Sequence, residues 1–156
     1  MPYRIRPATL EDLDVLIHHR IAMFTDMGRP VDAGLLGREF RTWLLQNLPT
    51  GTYRAWLVEA EDGSIAAGGG ATIIAWPPGP QYMGHTLAFV YNVYTEAAHR
   101  RRGLARQLME AIHAWCAEHG VTSIALNASR DGQQLYESMG YVVTPSPMMF
   151  FSVAKV

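Results

Sequence analysis

Cysteine is almost absent from the sequence, since Cys116 is the single thiol among 156 residues. One thiol excludes an internal disulfide and a metal site made of several thiolates. Its place in an apolar helical pattern predicts a small buried hydrophobic residue. The histidines also lack metal-site spacing, because His18 and His19 are adjacent and should point in different directions on a helix. We therefore expect no metal.

Long apolar runs and an excess of charge are missing as well. No run approaches the ~18 residues that cross a bilayer, and the N-terminal residues lack the apolar centre of a signal peptide. We expect a cytoplasmic protein with no membrane partner. The formal net charge is -1 at pH 7, so nucleic acid is not an expected partner. With 49% hydrophobic residues, the chain is predicted to form one globular domain over residues 1–156.

Hydrophobic periodicity and turn residues divide the chain into helices and strands. Thr9 followed by Asp12 indicates a helix start close to a capping box, and Gly28 ends that helix. Further helices are predicted over residues 32–48, 103–119 and 131–139. Strands are predicted over residues 3–6, 53–59, 65–76, 87–95 and 121–127, with two more short strands around 141–143 and 148–153. The glycines at 68–70 indicate a bulge or a close backbone approach.

The order of these elements predicts the topology. Residues 87–127 read as strand, helix, strand, a unit that requires a parallel, right-handed crossover. The other strands are separated by short turns and should pair antiparallel. We expect an α+β fold: a mixed, largely antiparallel sheet with one parallel β-α-β crossover and helices on both faces.

The densest positive charge lies in residues 99–106, HRRRGLAR, between a predicted strand and a predicted helix. A helix start offers unpaired N–H groups and the positive end of the helix dipole, both of which favour phosphate. Gly103 has no Cβ to obstruct an anion. On the arginines alone, a solvated basic loop is the simpler interpretation. A nucleic-acid patch has weaker support, because no wider basic stripe accompanies the run.

Two segments resemble motifs of the GNAT N-acetyltransferase superfamily. Residues 95–105, TEAAHRRRGLA, resemble its acetyl-CoA-binding motif, Arg/Gln-x-x-Gly-x-Gly/Ala at a helix start, with Arg100, Gly103 and Ala105 at the defined positions. Residues 135–141, LYESMGY, resemble its Leu-Tyr-x-x-x-Gly-Phe segment. The order of predicted elements matches over nearly the whole chain. The resemblance implies a GNAT-like fold and transfer of an acetyl group from acetyl-CoA to a primary amine of a small molecule or peptide. The alternative is a non-catalytic acyl-CoA-binding sensor or interaction module.

The resemblance also implies roles for individual residues. The coenzyme would pair with the strand edge Val93-Tyr94-Thr95, where the Val93 N–H would polarise the thioester carbonyl. Tyr136 would be the general acid for the CoA thiolate. Backbone N–H groups would hold the pyrophosphate, with arginine side chains at its rim, over Arg100, Arg101, Arg102, Gly103, Leu104 and Ala105. Ser129 stands where many relatives have an asparagine that bonds the pantetheine arm, so this contact is left open.

The general base and the acceptor stay undetermined at this level. Some relatives carry a glutamate early in the strand before the cofactor helix, but Phe89 aligns with that position here. A base must come from elsewhere, act through water, or be absent if neutral amine is captured from solution; the candidates are His85, Glu59, Asp26 and Asp32. Tyr91 or Asn92 could position a water or the acceptor. The candidates that could line an acceptor pocket are Met23, Phe24, Met27, Trp76, Tyr82 and Tyr91, of which Met23 and Phe24 are expected to be core residues. The oligomeric state is also open, a homodimer included.

Overall fold

A five-stranded sheet organises residues 2–154, which are the residues that the computed structural model of the protein describes. The strands are β1 (Tyr3–Pro7), β2 (Tyr53–Ala60), β3 (Ile65–Ala75), β4 (Thr86–Thr95) and β5 (Ile124–Leu126). Their spatial order follows the chain, β1-β2-β3-β4-β5. The first four strands pair antiparallel, whereas β4 and β5 pair in parallel. The predicted mixed, largely antiparallel sheet with one parallel crossover is confirmed.

Four α-helices occur within the described residues, three of them between strands and one after β5. They are α1 (Leu13–Asp26), α2 (Ala33–Asn47), α3 (Leu104–Glu118) and α4 (Gln133–Ser138). Single 3-10 turns at Leu10–Asp12 and Ala97–His99 precede α1 and α3. The predicted capping box is present, because the Thr9 N–H donates to Asp12 Oδ2 at 2.8 Å. Asp12 also pairs with Arg6 of β1 at 2.9 Å, which ties the first strand to this turn.

The helices cover both faces of the sheet, as predicted. Alternate side chains of β2 belong to the two different cores. Tyr53 and Leu57 pack with α1 and α2, whereas Trp56 and Val58 pack with α3. The buried residues of α3 are those that share the predicted helical face: Leu104, Leu108, Met109, Ile112 and Cys116. Cys116 is therefore the buried, apolar residue that its pattern predicted.

The glycine-rich part of β3 faces a bulge in β4. Gly68 pairs with Tyr94 and Gly70 with Tyr91, so a single β3 residue, Gly69, lies opposite Asn92 and Val93. Asn92 adopts the left-handed backbone conformation, with φ of 63°, which asparagine tolerates better than most residues. The extra residue in β4 shifts its register relative to β3 immediately before Tyr94.

The C-terminal segment differs from the prediction. Residues 141–154 contain no strand, so the two short strands predicted around 141–143 and 148–153 are wrong. Pro145 and Pro147 lie between them and lack the N–H that a ladder requires. The side chains from Met148 to Phe151 are 72% to 91% exposed. β5 is also shorter than predicted. Among the described residues, no helix combines the length and the apolar character needed to cross a membrane.

Candidate active site

The two parallel strands separate near the carboxyl end of β4. They pair only between Ala88–Val90 and Ile124–Leu126. β5 then ends, while β4 continues from Tyr91 to Thr95 without a partner on this edge in the described part of the chain. An unpaired strand edge offers backbone groups to an extended ligand that pairs as an added strand. Val93, Tyr94 and Thr95, the predicted coenzyme edge, lie here.

A loop rich in unpaired backbone N–H groups follows this edge. Arg101 (φ 61°) and Gly103 (φ 75°) both adopt the left-handed conformation, and α3 begins at Leu104. Within the described residues, the N–H groups from Arg101 to Arg106 form no hydrogen bond. A Cβ added at Gly103 would meet nothing within 4 Å, so the space above this turn is open. Successive free N–H groups at a helix start form an anion-binding concavity.

A pocket of about 180 Å³ lies at this turn. It brings together most of the residues predicted to hold the coenzyme, and its lining comprises Thr95, His99, Arg100, Arg101, Gly103, Leu104, Ala105, Arg106 and Leu135. Of the predicted set, Val93 and Tyr94 lie outside it on the β4 edge, and Arg102 lies outside it on the loop. Leu135, which lines the pocket but is distant from the loop in sequence, is contributed by α4.

The arginine side chains of the run are used differently from one another. Arg100 pairs with Asp26 at 2.6 Å and donates to the Thr95 carbonyl at 2.9 Å. Arg102 donates to the Tyr3 hydroxyl at 3.1 Å. Arg101 is exposed and forms no side-chain hydrogen bond or ion pair with the described residues. Only Arg100 pairs with a carboxylate, so Arg101 and Arg106 bring uncompensated positive charge to the lining of the pocket, in addition to the backbone N–H groups.

Tyr136 and Ser129 do not line this pocket. Tyr136 lines a second cavity of about 720 Å³, together with β5 and residues 139–148. Burial raises the pKa of the Tyr136 phenol, and its ring meets that of Tyr141 edge to face, 5.7 Å between centroids. Ser129 accepts from the Gly132 N–H at 3.1 Å and so begins the turn into α4. Because Leu135 and Tyr136 are neighbours, α4 borders both cavities.

A buried polar network supports the β4 bulge, and it was missed from the sequence. Asn92 is 5% exposed. Its amide accepts from Arg20 Nη1 at 2.5 Å and donates to the Tyr53 hydroxyl at 3.0 Å. Burial raises the pKa of Tyr53, so this hydroxyl stays protonated. Sequence reasoning could not predict that Arg20 and Tyr53 meet Asn92, because the three residues belong to α1, β2 and β4.

Two histidines converge on Glu96, contrary to the expectation that their side chains point in different directions. His18 Nε2 lies 2.7 Å from Glu96 Oε1, and His19 Nε2 lies 3.4 Å from the same atom. His19 is 2% exposed, and burial lowers its pKa to about 4 despite the nearby carboxylate. His19 is thus neutral at pH 7. No group of three or more potential metal-ligating side chains occurs among residues 2–154.

The candidate bases are mostly engaged elsewhere. Glu59 pairs with both Arg4 and Arg6 at the β1 side of the sheet, which lowers its pKa. Asp26 pairs with Arg100. Asp32 caps α2 by accepting from the Leu35 N–H at 2.9 Å. Only His85 is exposed without such a partner in the described residues.

The candidate acceptor residues form two groups. Phe24 and Tyr91 lie together around Arg20, with Met23 on the same helix. Trp76 and Tyr82 hydrogen bond to each other in the loop between β3 and β4. The remaining candidate, Met27, caps the end of α1 and is 46% exposed.

The fold and the motifs agree with comparisons to known proteins. The family model described as the acetyltransferase (GNAT) domain matches residues 51–143. A GCN5-related N-acetyltransferase from Ralstonia eutropha is 34% identical, with 96% of this chain and 98% of that chain covered and a TM-score of 0.88. This chain therefore belongs to the GNAT family of N-acetyltransferases, enzymes that act on amine acceptors.

More distant structures share the fold. A predicted acetyltransferase from Clostridium acetobutylicum, solved with acetyl-CoA, is 23% identical with a TM-score of 0.83, and 96% of each chain is covered. An aminoglycoside N-acetyltransferase solved with CoA is 20% identical with a TM-score of 0.72, covering 97% of this chain and 95% of that one. A search of curated proteins found no match.

Proposed function

We propose that this chain transfers an acetyl group from acetyl-CoA directly to a primary amine of a small molecule or peptide. The observation that carries the proposal is the row of unpaired N–H groups from Arg101 to Arg106, placed immediately after an unpaired strand edge. The C. acetobutylicum relative, solved with acetyl-CoA, has the same fold and supports this assignment.

The residues present fit the coenzyme. A diphosphate requires several N–H donors and open space, and the turn around Gly103 supplies both. Arg101 adds a free guanidinium at the rim, while Arg100, Arg102, Leu104 and Ala105 supply backbone or supporting contacts. The β4 edge at Val93-Tyr94-Thr95 is suited to the extended pantetheine arm. Ser129 is occupied in its own turn but retains an O–H that can donate.

The chain's own groups then perform the chemistry. Acetyl-CoA supplies the acetyl group as a thioester. The N–H of Val93, held in the bulge, donates to the thioester oxygen as negative charge develops there. The amine nitrogen forms a bond to the carbonyl carbon, the C–S bond breaks, and Tyr136 donates its phenolic proton to the leaving sulfur. The proton that the amine loses passes to water, from which the phenolate is reprotonated. Burial raises the pKa of Tyr136, so the phenol is protonated at pH 7 before the reaction.

Substitution of Tyr136 tests the assigned role. Tyr136→Phe removes the proton donor but keeps the ring, so we expect turnover to fall by about 10²- to 10⁴-fold with little change in acetyl-CoA affinity. The measurement is release of free CoA thiol across an amine panel. Tyr141→Phe is the matched control, because its ring lines the same cavity and its hydroxyl bonds His113 at 2.6 Å instead. Full activity of Tyr136→Phe would remove Tyr136 from this role.

Ligand binding separates this proposal from its alternatives. Acetyl-CoA at 100 times its dissociation constant should stabilise the fold by about 2.7 kcal/mol in a thermal shift assay. Stabilisation by desulfo-CoA and acetyl-CoA without turnover of any amine would favour a non-catalytic acyl-CoA sensor. Stabilisation by an oligonucleotide alone would contradict the proposal.

A further inference from the structure

Arg20 is the one arginine of α1, and its environment is unusual for a cation. The side chain is partly buried between the helices and β4. Its guanidinium carbon lies 5.0 Å from the centre of the Phe40 ring, 5.1 Å from that of Phe24 and 5.9 Å from that of Tyr91. These aromatic faces attract a cation but neutralise none of its charge.

No carboxylate among the described residues pairs with Arg20. Its only hydrogen bond there runs from Nη1 to the neutral amide of Asn92. The donors on Nε and Nη2 consequently have no partner within residues 2–154. An arginine carries five N–H donors, and a largely buried one normally meets a carboxylate or phosphate.

The acids at this end of the molecule contact groups other than Arg20. Asp26, at the end of α1, pairs with Arg100. Asp32 caps α2, and Glu96 faces His18 and His19. None of these carboxylates therefore compensates the positive charge of Arg20 beside the β4 bulge. Burying an uncompensated charge is costly, and burial accordingly lowers the pKa of Arg20.

We propose that Arg20 binds an acidic group, a carboxylate or a phosphate, carried by the amine acceptor. This inference rests on the proposed function, because Asn92, to which Arg20 is bonded, directly precedes Val93 in the bulge. The free Nε and Nη2 donors provide the forked geometry that an acidic group accepts. The acceptor's acidic group would thus be held on the α1 face while its amine reaches the β4 edge.

The same charge disfavours other classes of acceptor. A polyamine or a lysine-rich peptide brings a second positive charge toward a guanidinium that no carboxylate among the described residues pairs with. Neutral alkylamines lose the charge-assisted hydrogen bonds. We expect kcat/KM to be highest for an acid-bearing amine, lower for a neutral amine and lowest for a diamine.

Matched amines test the inference with acetyl-CoA and the full chain, read as free CoA thiol. β-Alanine is compared with propylamine, O-phosphoethanolamine with ethanolamine, and 1,3-diaminopropane is the cationic probe. We expect at least a tenfold higher kcat/KM for the acid-bearing member of one pair, and the pair that responds distinguishes carboxylate from phosphate. Equal or better use of the acid-free amines or the diamine would overturn the inference.

Variants of Arg20 identify the group responsible. Arg20→Gln should raise the KM for the preferred acid-bearing amine about 10- to 100-fold, change the KM for acetyl-CoA much less and abolish the difference within the pair. Arg20→Lys keeps the charge and should retain part of the preference. Arg29→Gln is the control, because Arg29 also lies over Phe24, at 5.4 Å, but is exposed. A preference unchanged in Arg20→Gln would contradict the assignment.

Binding measured without turnover separates the two proposals. Calorimetry of β-alanine and O-phosphoethanolamine, with CoA present, reports the anion site alone. Binding to the wild type that is lost in Arg20→Gln supports the site even where no amine is acetylated, in which case only the proposed transferase activity fails. Absence of binding by both acids to the wild type would overturn the inference about Arg20.

Discussion

The two faces of the sheet are stabilised by different kinds of interaction. The face under α3 is closed by apolar side chains alone, with Leu108, Met109 and Ile112 fully buried. The face under α1 and α2 contains both buried polar residues of the described chain, His19 and Asn92. The first face is stabilised by burial of apolar area, and the second depends additionally on hydrogen bonds between buried polar groups, such as those of Asn92.

This difference corresponds to what each face supports. The α3 face anchors a helix whose first turn presents free N–H groups, so rigid packing there keeps the anion-binding turn in place. The α1 and α2 face carries Arg20, Asn92 and Tyr53, which hold the bulge in β4. Polar networks of this kind specify one geometry when they are complete and are costly when one member is removed.

Alanine substitutions at the adjacent glycines Gly69 and Gly70 of β3 should give the largest difference in stability between the two faces. A Cβ at Gly70 would lie 2.6 Å from the Arg54 carbonyl oxygen and would also meet the Tyr53 hydroxyl. A Cβ at Gly69 would lie 3.0 Å from Leu108 Cδ2 and 3.1 Å from Val93 Cγ2, both side-chain atoms. We expect Gly70→Ala to lower the free energy of unfolding by more than about 3 kcal/mol and Gly69→Ala by about 1–2 kcal/mol.

Chemical denaturation measures both glycine variants, with Gly34→Ala on α2 as the control. A Cβ at Gly34 meets only the mobile end of Arg38, at 3.4 Å, and Asp32, at 3.6 Å, so that variant should be neutral or stabilising by up to about 1 kcal/mol. Equal costs at Gly69 and Gly70 would contradict the difference between the faces.

Substitutions of Asn92 test the polar face, because the loss of its hydrogen bonds and the strain of its backbone can be measured separately. Asn92→Ala leaves the Tyr53 hydroxyl and Arg20 without their partner and places a Cβ at φ of 63°, so we expect a loss of about 2–4 kcal/mol. Asn92→Gly removes the same contacts but tolerates this backbone, so it should be about 1 kcal/mol more stable than Asn92→Ala. An alanine variant as stable as the glycine variant in urea titrations would mean that the bulge is not retained.

The pH dependence of stability is expected to come largely from the polar face, through His19. Burial lowers its pKa to about 4, whereas an unfolded histidine has a pKa of ~6.5. Between these values the unfolded chain binds more protons, so the contribution is complete above about pH 6.5. It declines as the pH falls, by up to about 3 kcal/mol near pH 4.

Denaturation curves from pH 4 to pH 7 check this expectation. His19→Gln should flatten the slope in that window, because the titrating group is gone. His18→Gln is the control, since His18 contacts the same carboxylate but is exposed. An unchanged slope in His19→Gln would show that other groups dominate.

The sequence was informative where structure is local and periodic. The α3 face, the capping box at Thr9 and the glycine turn before α3 are set by residues close in the chain, so spacing alone located them. The motifs carrying the family resemblance lie in the same kind of segment. The order of strands followed from short turns and one crossover.

What the sequence did not predict depends on distant contacts or on competition between local signals. Arg20, Asn92 and Tyr53 are separated by at least 33 residues, and nothing in their neighbours indicates that they meet. The alternating residues after Tyr141 resemble strands, but Pro145 and Pro147 interrupt them and no partner strand pairs with them within residues 2–154. Local propensity was overridden there by the absence of pairing.

Amide hydrogen exchange with and without acetyl-CoA tests the central claim most directly. The N–H groups from Arg101 to Arg106 have no partner in the described residues, so they should exchange quickly in the free protein. With saturating acetyl-CoA, we predict that exchange slows at least tenfold at these amides and at the Val93 edge of β4. Saturated binding that leaves exchange at Arg101–Arg106 unchanged would contradict the account.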